Sequence, residues 1–474
     1  MKIALIRPPA TYADWYKRPV LGLAYICSYL EKKGYDCKIF DAYFKGWSEK
    51  ELIENVKDYK PSLIGLSAMT HEINKTALIA AQLKNALNIP SVIGGCHVTA
   101  LPERTLIEYP VFDYGVYGEG ENTFFELLNA LKKGRVSELP YVKGVVFRNG
   151  GRVIVNEPRP FLETDELDNL PFPAYQQYYG NDTQALSDKN TSYVMYTSRG
   201  CPFNCAFCMQ VLGRKVRRRS AENVIREIEY AKEKYGARIF DFEDEIFLMN
   251  SQESKRLLQL FIDKGLPKMI KWKGMTRANF VTEELINLAK KAGCIRLEMG
   301  VESGDDTILK DIGKGISVAQ IKKAVKIIKK AGIPLESFYI LGHPNETKET
   351  LQKTIDLSTK LNTKTIAVGI MVPYPGTRIF DMALKGENGY RLLTQNWSEY
   401  DKYGGRALEL SGLPYDKLVK YQTMAYIYLY LKNLRIIECI KFFWVRRRAL
   451  YFLIKKRLAH LNIFKKSIEN LARV

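Results

Sequence analysis

The sequence predicts an α/β protein in three parts: an N-terminal Rossmann-like doubly wound parallel sheet, a partial (β/α)6 TIM-type barrel, and a C-terminal helical extension. Three observations predict it. Short apolar runs alternate with amphipathic helical patterns through residues 1–135, which is the rhythm of a parallel sheet. The rhythm breaks over 140–190 and resumes as six strand–helix units in 191–385. A complete eight-unit barrel needs about 250 residues, so this one is open. Beyond residue 414 the pattern is helical and strongly basic.

In the first part, strands are expected at 2–6, 38–40, 63–67, 91–94 and 114–116, and helices at 20–33, 49–58, 73–87, about 103–108, and 121–132. Gly34 stops the first helix. Sheets of this kind bind ligands beyond the carboxyl ends of their strands. In the break, the runs 145–148 and 152–155 flank Asn149-Gly150-Gly151, a hairpin signal. Leu170-Pro171-Phe172-Pro173 reads as a linker and 181–190 as a polar loop. Barrel strands are expected at 193–197, 239–242, 271–275, 296–300, 335–340 and 365–370, with helices at 221–234, 252–263, 283–291, 318–330 and 346–360. The expected organisation is a ligand-binding sheet in 1–140, a linker with a hairpin in 141–190, a barrel in 191–385, and a basic helical region in 386–474.

Hydrophobic residues make up 46% of the 474 and charged residues 26%, enough for real cores and a normal soluble balance. No run reaches the roughly eighteen apolar residues of a spanning helix. The N-terminus is a short strand stopped by Arg7, Pro8 and Pro9 rather than a signal peptide, so a cytoplasmic location is expected. The net charge is +20, and residues 428–474 supply half of it, with twelve Lys/Arg against Glu438 and Glu469.

Of eight cysteines, Cys27, Cys37, Cys96, Cys294 and Cys439 stand singly among apolar neighbours and read as small buried hydrophobes. Cys201, Cys205 and Cys208 instead share one bend, shaped by Gly200 and Pro202, directly after a strand. Thiolates are soft ligands for zinc or iron–sulfur clusters. Structural zinc takes four ligands, and no fourth Cys or His lies nearby. Three thiolates leave one corner of a four-iron cluster open.

Cys201-x3-Cys205-x2-Cys208 after a first barrel strand resembles the radical S-adenosylmethionine (SAM) superfamily. The resemblance implies a 4Fe-4S cluster whose open iron chelates the SAM amino and carboxylate groups. One electron then cleaves a carbon–sulfur bond, giving methionine and a 5′-deoxyadenosyl radical. Phe207 resembles the aromatic whose backbone meets the adenine. The run Asp241-Phe242-Glu243-Asp244-Glu245 sits where the family places a Gly-Gly-Glu-like element for the SAM amino group. The glycines are absent here, so Asp244 or Glu245 supplies the acceptor. Leu297–Gly304 resembles the ribose-binding segment, with Glu302 accepting from the hydroxyls. Arg277 is a candidate for the SAM carboxylate, with a surface salt bridge as its alternative.

Two loops, 339–347 and 373–377, are similar to those of the subgroup fused to a cobalamin (B12)-binding domain. That subgroup implies cobalamin over the N-terminal sheet, held by Gly94, Gly95 and His97 and by Gly118 and Glu119. The Asp-x-His-x-x-Gly pattern that ligates cobalt in methionine-synthase-type domains is missing, so cobalamin is expected without a protein His ligand.

Near the C-terminus, Ile427, Leu431, Leu434, Ile437, Ile440 and Trp444 recur at helical spacing beside Arg446-Arg447-Arg448. The stripe suits an interfacial helix on the inner face of an anionic membrane or, equally, a helix packed on the barrel. Clustered rather than interleaved aromatics weigh against nucleic acid. The expected function is cobalamin-dependent methylation or cyclisation of an unactivated carbon. The expected partners are a small-molecule substrate of apolar or lipid-like character and a one-electron donor such as ferredoxin or flavodoxin. The alternatives are an RNA methylthiotransferase-like enzyme, and a non-catalytic module that binds cobalamin or membrane.

Overall fold

The computed structural model describes residues 1–9, 17–402, 404–445 and 447. Seven strands form the first sheet. Its parallel part runs Asp36–Asp41, Lys2–Arg7, Leu63–Ser67, Ser91–Gly94, Tyr114–Val116. The order reverses between the strands at Lys2–Arg7 and Leu63–Ser67, which is the switch point where doubly wound sheets open a ligand crevice. The central strands are buried on both faces, as apolar runs such as Ile3–Ile6 require.

The hairpin expected in the linker belongs to this sheet. Val145–Asn149 pairs antiparallel with Tyr114–Val116, and Arg152–Val155 adds the edge. The Asn-Gly-Gly turn announces the hairpin, but nothing local announces its dock. Tyr114–Val116 is otherwise a three-residue edge strand with an open ladder, and the hairpin covers it.

The second sheet has six parallel strands in chain order: Tyr193–Met195, Ile239–Phe242, Lys271–Thr276, Cys294–Glu302, Leu335–Leu341 and Thr365–Ile370. The first and sixth do not pair, so the barrel is open. Helices between them bury one face against the strands. Ala221–Tyr235, for example, is capped by Ser220 at its start and by Gly236 in the left-handed conformation at its end. The outer edge of Thr365–Ile370 is met by side chains of the helix Tyr415–Leu431. Tyr426 Oη accepts from the Val368 N–H at 3.0 Å, and Gln422 donates to the Val368 carbonyl at 2.7 Å.

The region after 386 is not all helix. Tyr390–Leu392 and Leu408–Leu410 form an antiparallel pair, and the turn between them sends Trp397 and Tyr400 into the core of the N-terminal domain. Trp397 Nε1 donates to Glu108 at 2.7 Å. A single buried Trp at the far end of the chain carries no periodicity, so sequence pattern cannot reveal this dock. Among the described residues no helix is long and apolar enough to cross a membrane. The tail stripe lies inside the described residues up to Trp444 and beyond them from 448 onward.

Candidate active site

The cysteine loop leaves the first barrel strand through a bend that only glycine permits. Gly200 has φ +97°, and a Cβ there would stand 2.2 Å from the Lys215 carbonyl oxygen. Backbone bonds stitch the loop to its surroundings. Cys201 N–H donates to Gly213 O (3.0 Å), Ala206 N–H to Ile312 O (2.8 Å), and Ile379 N–H to Ala206 O (3.2 Å). All three cysteines are free thiols. Cys201 and Cys205 are half-buried and Cys208 is exposed. Burial raises all three thiols, and for Cys208 the neighbouring Cys205 and Cys201 add to the rise, to about 11. The thiols thus act on one another electrostatically across one loop. Cluster ligation would take the protons away.

Around the thiols stand groups suited to a zwitterion. Arg277 follows the strand Lys271–Thr276. Its guanidinium lies 3.6 Å from the Phe203 ring centroid, Nη1 donates to Asn279 at 2.6 Å, and the buried Nη2 has no hydrogen-bond partner among the described residues. It is not a surface salt bridge. Its pKa is lowered by desolvation, against which Cys205, Cys201 and Glu302 pull upward. Glu302 ends the fourth strand with φ +67°, a left-handed conformation that a non-glycine residue holds only where its surroundings enforce it. Its carboxylate pairs with buried Lys314 at 2.7 Å, whose Nζ also lies 5.9 Å from the Phe207 ring. Gly300 leaves room for this pair, since a Cβ there would meet Glu302 Oε1 at 2.2 Å and Lys314 Nζ at 2.7 Å.

The two acidic candidates separate cleanly. The Asp244 carboxylate is fully engaged with the Thr197 N–H (2.6 Å), the Thr197 hydroxyl and the Ser198 hydroxyl (2.7 Å). It holds the strand end in place and has no acceptor to spare. Glu245 accepts the Gly200 N–H, at 3.2 Å, and is close enough to influence Cys201 and Cys208 electrostatically. Burial raises its pKa, so an ammonium beside it would be welcome.

His343 and Glu346, inside a motif noted but not assigned from sequence, form the loop after the fifth strand. His343 is fully buried, its ring is 6.4 Å from that of Phe207, and among the described residues neither nitrogen makes a well-aligned hydrogen bond. Burial pushes its pKa down to about 4, so the ring is neutral. Glu346 accepts the Gly342 and His343 N–H groups, and burial pushes its carboxyl up to about 8. Lys314 was also missed. The only signal was its place between two glycines, Gly313 and Gly315, where a chain can approach a site closely.

Across from the cysteine loop lies a cavity over the carboxyl ends of the first sheet, lined by Gly22, Gly65, Gly94, Gly95, Gly118 and Gly120 and closed on the barrel side by Tyr196, Arg199 and Leu212. Gly22 and Gly118 face open space within 4 Å of where a Cβ would stand, while Gly95 (φ +97°) has no room for one beside the Ala68 carbonyl at 2.7 Å. A cradle of backbone at a switch point fits a large flat cofactor. Of the expected cobalamin residues, His97 stands outside this lining and Glu119 stands within it, its carboxylate already paired. His97 is buried, edge-on to Trp397 at 5.2 Å and to Tyr109 at 6.5 Å, and does not line the cavity. The carboxylate of Glu119 is consumed by Arg199 (3.1 Å), Arg217 (2.9 Å) and the Leu162 N–H (2.7 Å). Glu121 holds Arg199 at 2.7 Å. These buried pairs lock the N-terminal sheet to the first barrel loop, two residues from Cys201.

Residues 195–358 match the radical SAM superfamily profile and 16–128 the B12-binding domain profile. An uncharacterized methyltransferase of Pyrococcus horikoshii is 35% identical, over 91% of this chain and 93% of that protein. An anaerobic magnesium-protoporphyrin IX monomethyl ester cyclase of Cereibacter sphaeroides is 30% identical, over 76% of this chain and 60% of its own length. Among solved structures, the radical SAM methyltransferase TsrM from Kitasatospora setae, with cobalamin and a [4Fe-4S] cluster bound, superimposes with a TM-score of 0.71 over 90% of both chains at 17% identity. It shares the fold.

Proposed function

Because the chain belongs to the radical SAM superfamily, in the branch that carries a B12-binding domain, we propose that Cys201, Cys205 and Cys208 hold its cluster for reductive cleavage of SAM and that the outcome is methylation or cyclisation of an unactivated carbon in a small molecule. The radical SAM domain takes a 4Fe-4S cluster and SAM, and the B12-binding domain takes cobalamin. The observation that carries the reading is the gathering of three thiols, Glu245, Arg277 and the Glu302–Lys314 pair at one barrel mouth that faces the glycine-lined cavity.

When bound, the cluster supplies the electron that splits the sulfonium, and cobalamin supplies the methyl carrier. The chain's own groups do the positioning. Glu245 would accept from the SAM ammonium, and the free Nη2 of Arg277 would donate to its carboxylate. Glu302, fixed by Lys314, would accept from the ribose hydroxyls. The Phe207 backbone would meet the adenine beside the neutral His343. Gly94, Gly95 and Gly118 would let cobalamin approach the backbone, while Glu119 keeps the two domains at a fixed separation. An external donor such as ferredoxin or flavodoxin would deliver the electron.

The RNA methylthiotransferase reading loses its footing, because a second cluster in the N-terminal domain would need cysteines that are instead sunk in its core, with Cys27 and Cys37 both buried. Peripheral membrane contact keeps specific support: Leu434, Ile437, Ile440 and Trp444 are 64–85% exposed, while Phe442 on the other face packs on Tyr426 and Tyr430. Co-sedimentation with anionic vesicles, lost in Ile437→Ser/Trp444→Ser, tests it. The main reading is tested by anaerobic incubation of cluster-replete protein with SAM and a reductant. 5′-Deoxyadenosine and methionine are expected, with none from Cys205→Ala. A cluster-replete wild type that yields neither product refutes it.

A further inference from the structure

Along the strands from Lys271–Thr276 to Thr365–Ile370, residues facing the helices are buried while the alternate residues, which face the barrel interior, are mostly half-exposed. The interior is therefore open to solvent. Closed barrels fill this space with branched apolar side chains. Here one level of inward positions on four neighbouring strands is charged, below Met275, Gly300 and Phe338 on the same face. Asp241 stands opposite Lys273, Lys273 opposite Arg296, and Glu298 opposite Glu336. Glu243 lies just beyond the end of its strand, and Arg18 reaches in from the N-terminal domain.

The pairing is incomplete. Lys273 sits 2.7 Å from Asp241. Arg18 is divided between Asp241, at 3.2 Å, and Glu243. Arg296 is divided between Glu298, at 2.5 Å, and Glu336, at 3.6 Å. Four carboxylates thus share three cations. The Asp241 side chain is 7% exposed, and Lys273 and Arg18 both address its Oδ2. Burial raises the carboxyls of Glu243 and Glu298, and the charge of Asp241 raises both further. Glu298 is in register with Met275, two residues before Arg277, so this floor lies about 7 Å below the level of Arg277. An apolar substrate seated there would strip water from all seven charges without replacing it.

We propose that the substrate is a polar small molecule carrying a protonated nitrogen, which sits on the Glu243–Glu298 floor with its reacting carbon toward the cysteine loop. This rests on the proposed function and replaces the apolar, lipid-like substrate expected from the tail. The test is saturation-transfer NMR on full-length, anaerobically reconstituted protein with three probes of one shape: 1-pentylamine, 1-pentanol and pentanoate. The amine should bind at least about tenfold more tightly than either partner, the value of one charge-assisted contact. Glu298→Gln, or the half-exposed and structurally tolerant Glu243→Gln, should erase most of that preference. Equal binding of amine and alcohol by the wild type overturns the inference, as does an amine preference that survives both substitutions. SAM cleavage is measured on the same sample. Cleavage without amine selectivity refutes the substrate class alone, and amine selectivity without cleavage refutes the enzymatic reading alone.

Discussion

Replacing Glu119 by alanine should loosen the whole molecule from its interior. The carboxylate is 5% exposed and its two arginine partners, Arg199 and Arg217, are 7% and 1% exposed. Removing it strands the Arg217 guanidinium without an anion, leaves Arg199 with Glu121 only, and orphans the Leu162 N–H. Breaking a buried ion pair from one side costs about 3–5 kcal/mol, because the remaining charge stays buried. With a urea slope of about 3 kcal/mol/M, the midpoint should fall by roughly 1–1.7 M. The same change should lower iron and sulfide content, since Arg199 lies two residues from Cys201. Urea unfolding followed by tryptophan fluorescence reads the first effect, and iron analysis reads the second. A Glu119→Leu/Arg217→Met double variant, which removes the charges from both sides, should recover part of the loss. If Glu119→Ala unfolds within 0.5 M of the wild type, the network does not hold the domains together and the reasoning fails.

Three further outcomes are expected. Gly200→Ala should destroy cluster binding while the cobalamin spectrum survives, because the new Cβ, in the residue next to Cys201, would stand 2.2 Å from the Lys215 carbonyl oxygen and 3.1 Å from that of Leu212, leaving the glycines of the cavity untouched. Lys314→Met should weaken SAM binding, measured by equilibrium dialysis, by about ten- to a hundredfold, the value of a charge-assisted bond or two around Glu302. Glu346→Gln should change the pH dependence of stability. The folded carboxyl is raised to about 8 from 4.5, so the wild type is fully stabilised below about pH 4.5 and loses stability as pH rises through 8, by up to about 4–5 kcal/mol. The glutamine variant lacks that loss, so urea midpoints should coincide near pH 4 and favour the variant above pH 8. A constant gap at both ends would contradict the assignment.

Much of this architecture was legible in the order of residues. The strand at Ile239–Phe242 and the helix at Gln252–Asp263 fall where periodicity put them, because in α/β units local pattern and tertiary burial agree. The cysteine loop was legible because its spacing is chemical rather than conformational. The failures share one cause, which is that contact across long sequence separation leaves no local trace. Nothing around Gly118-Glu119-Gly120 indicates that its carboxylate meets Arg217 rather than a ligand. Nothing around His97 foretells Trp397, three hundred residues later. Asp244 and Glu245 are adjacent and alike, and only the hydroxyls of Thr197 and Ser198 tell them apart. The charged floor of the barrel was visible as charged residues in four strands, but its meaning depended on whether the interior was packed or open.

The last barrel strand ends the sheet with half of its hydrogen-bonding groups turned outward, and one tyrosine and one glutamine stand in for the neighbour it lacks. The consequence falls on anyone who shortens the chain to remove its basic end. A cut before Tyr415 would bare that strand as a template, and identical molecules would zip together edge to edge. Trimming after Leu431 keeps the two surrogate side chains and should yield a monodisperse protein.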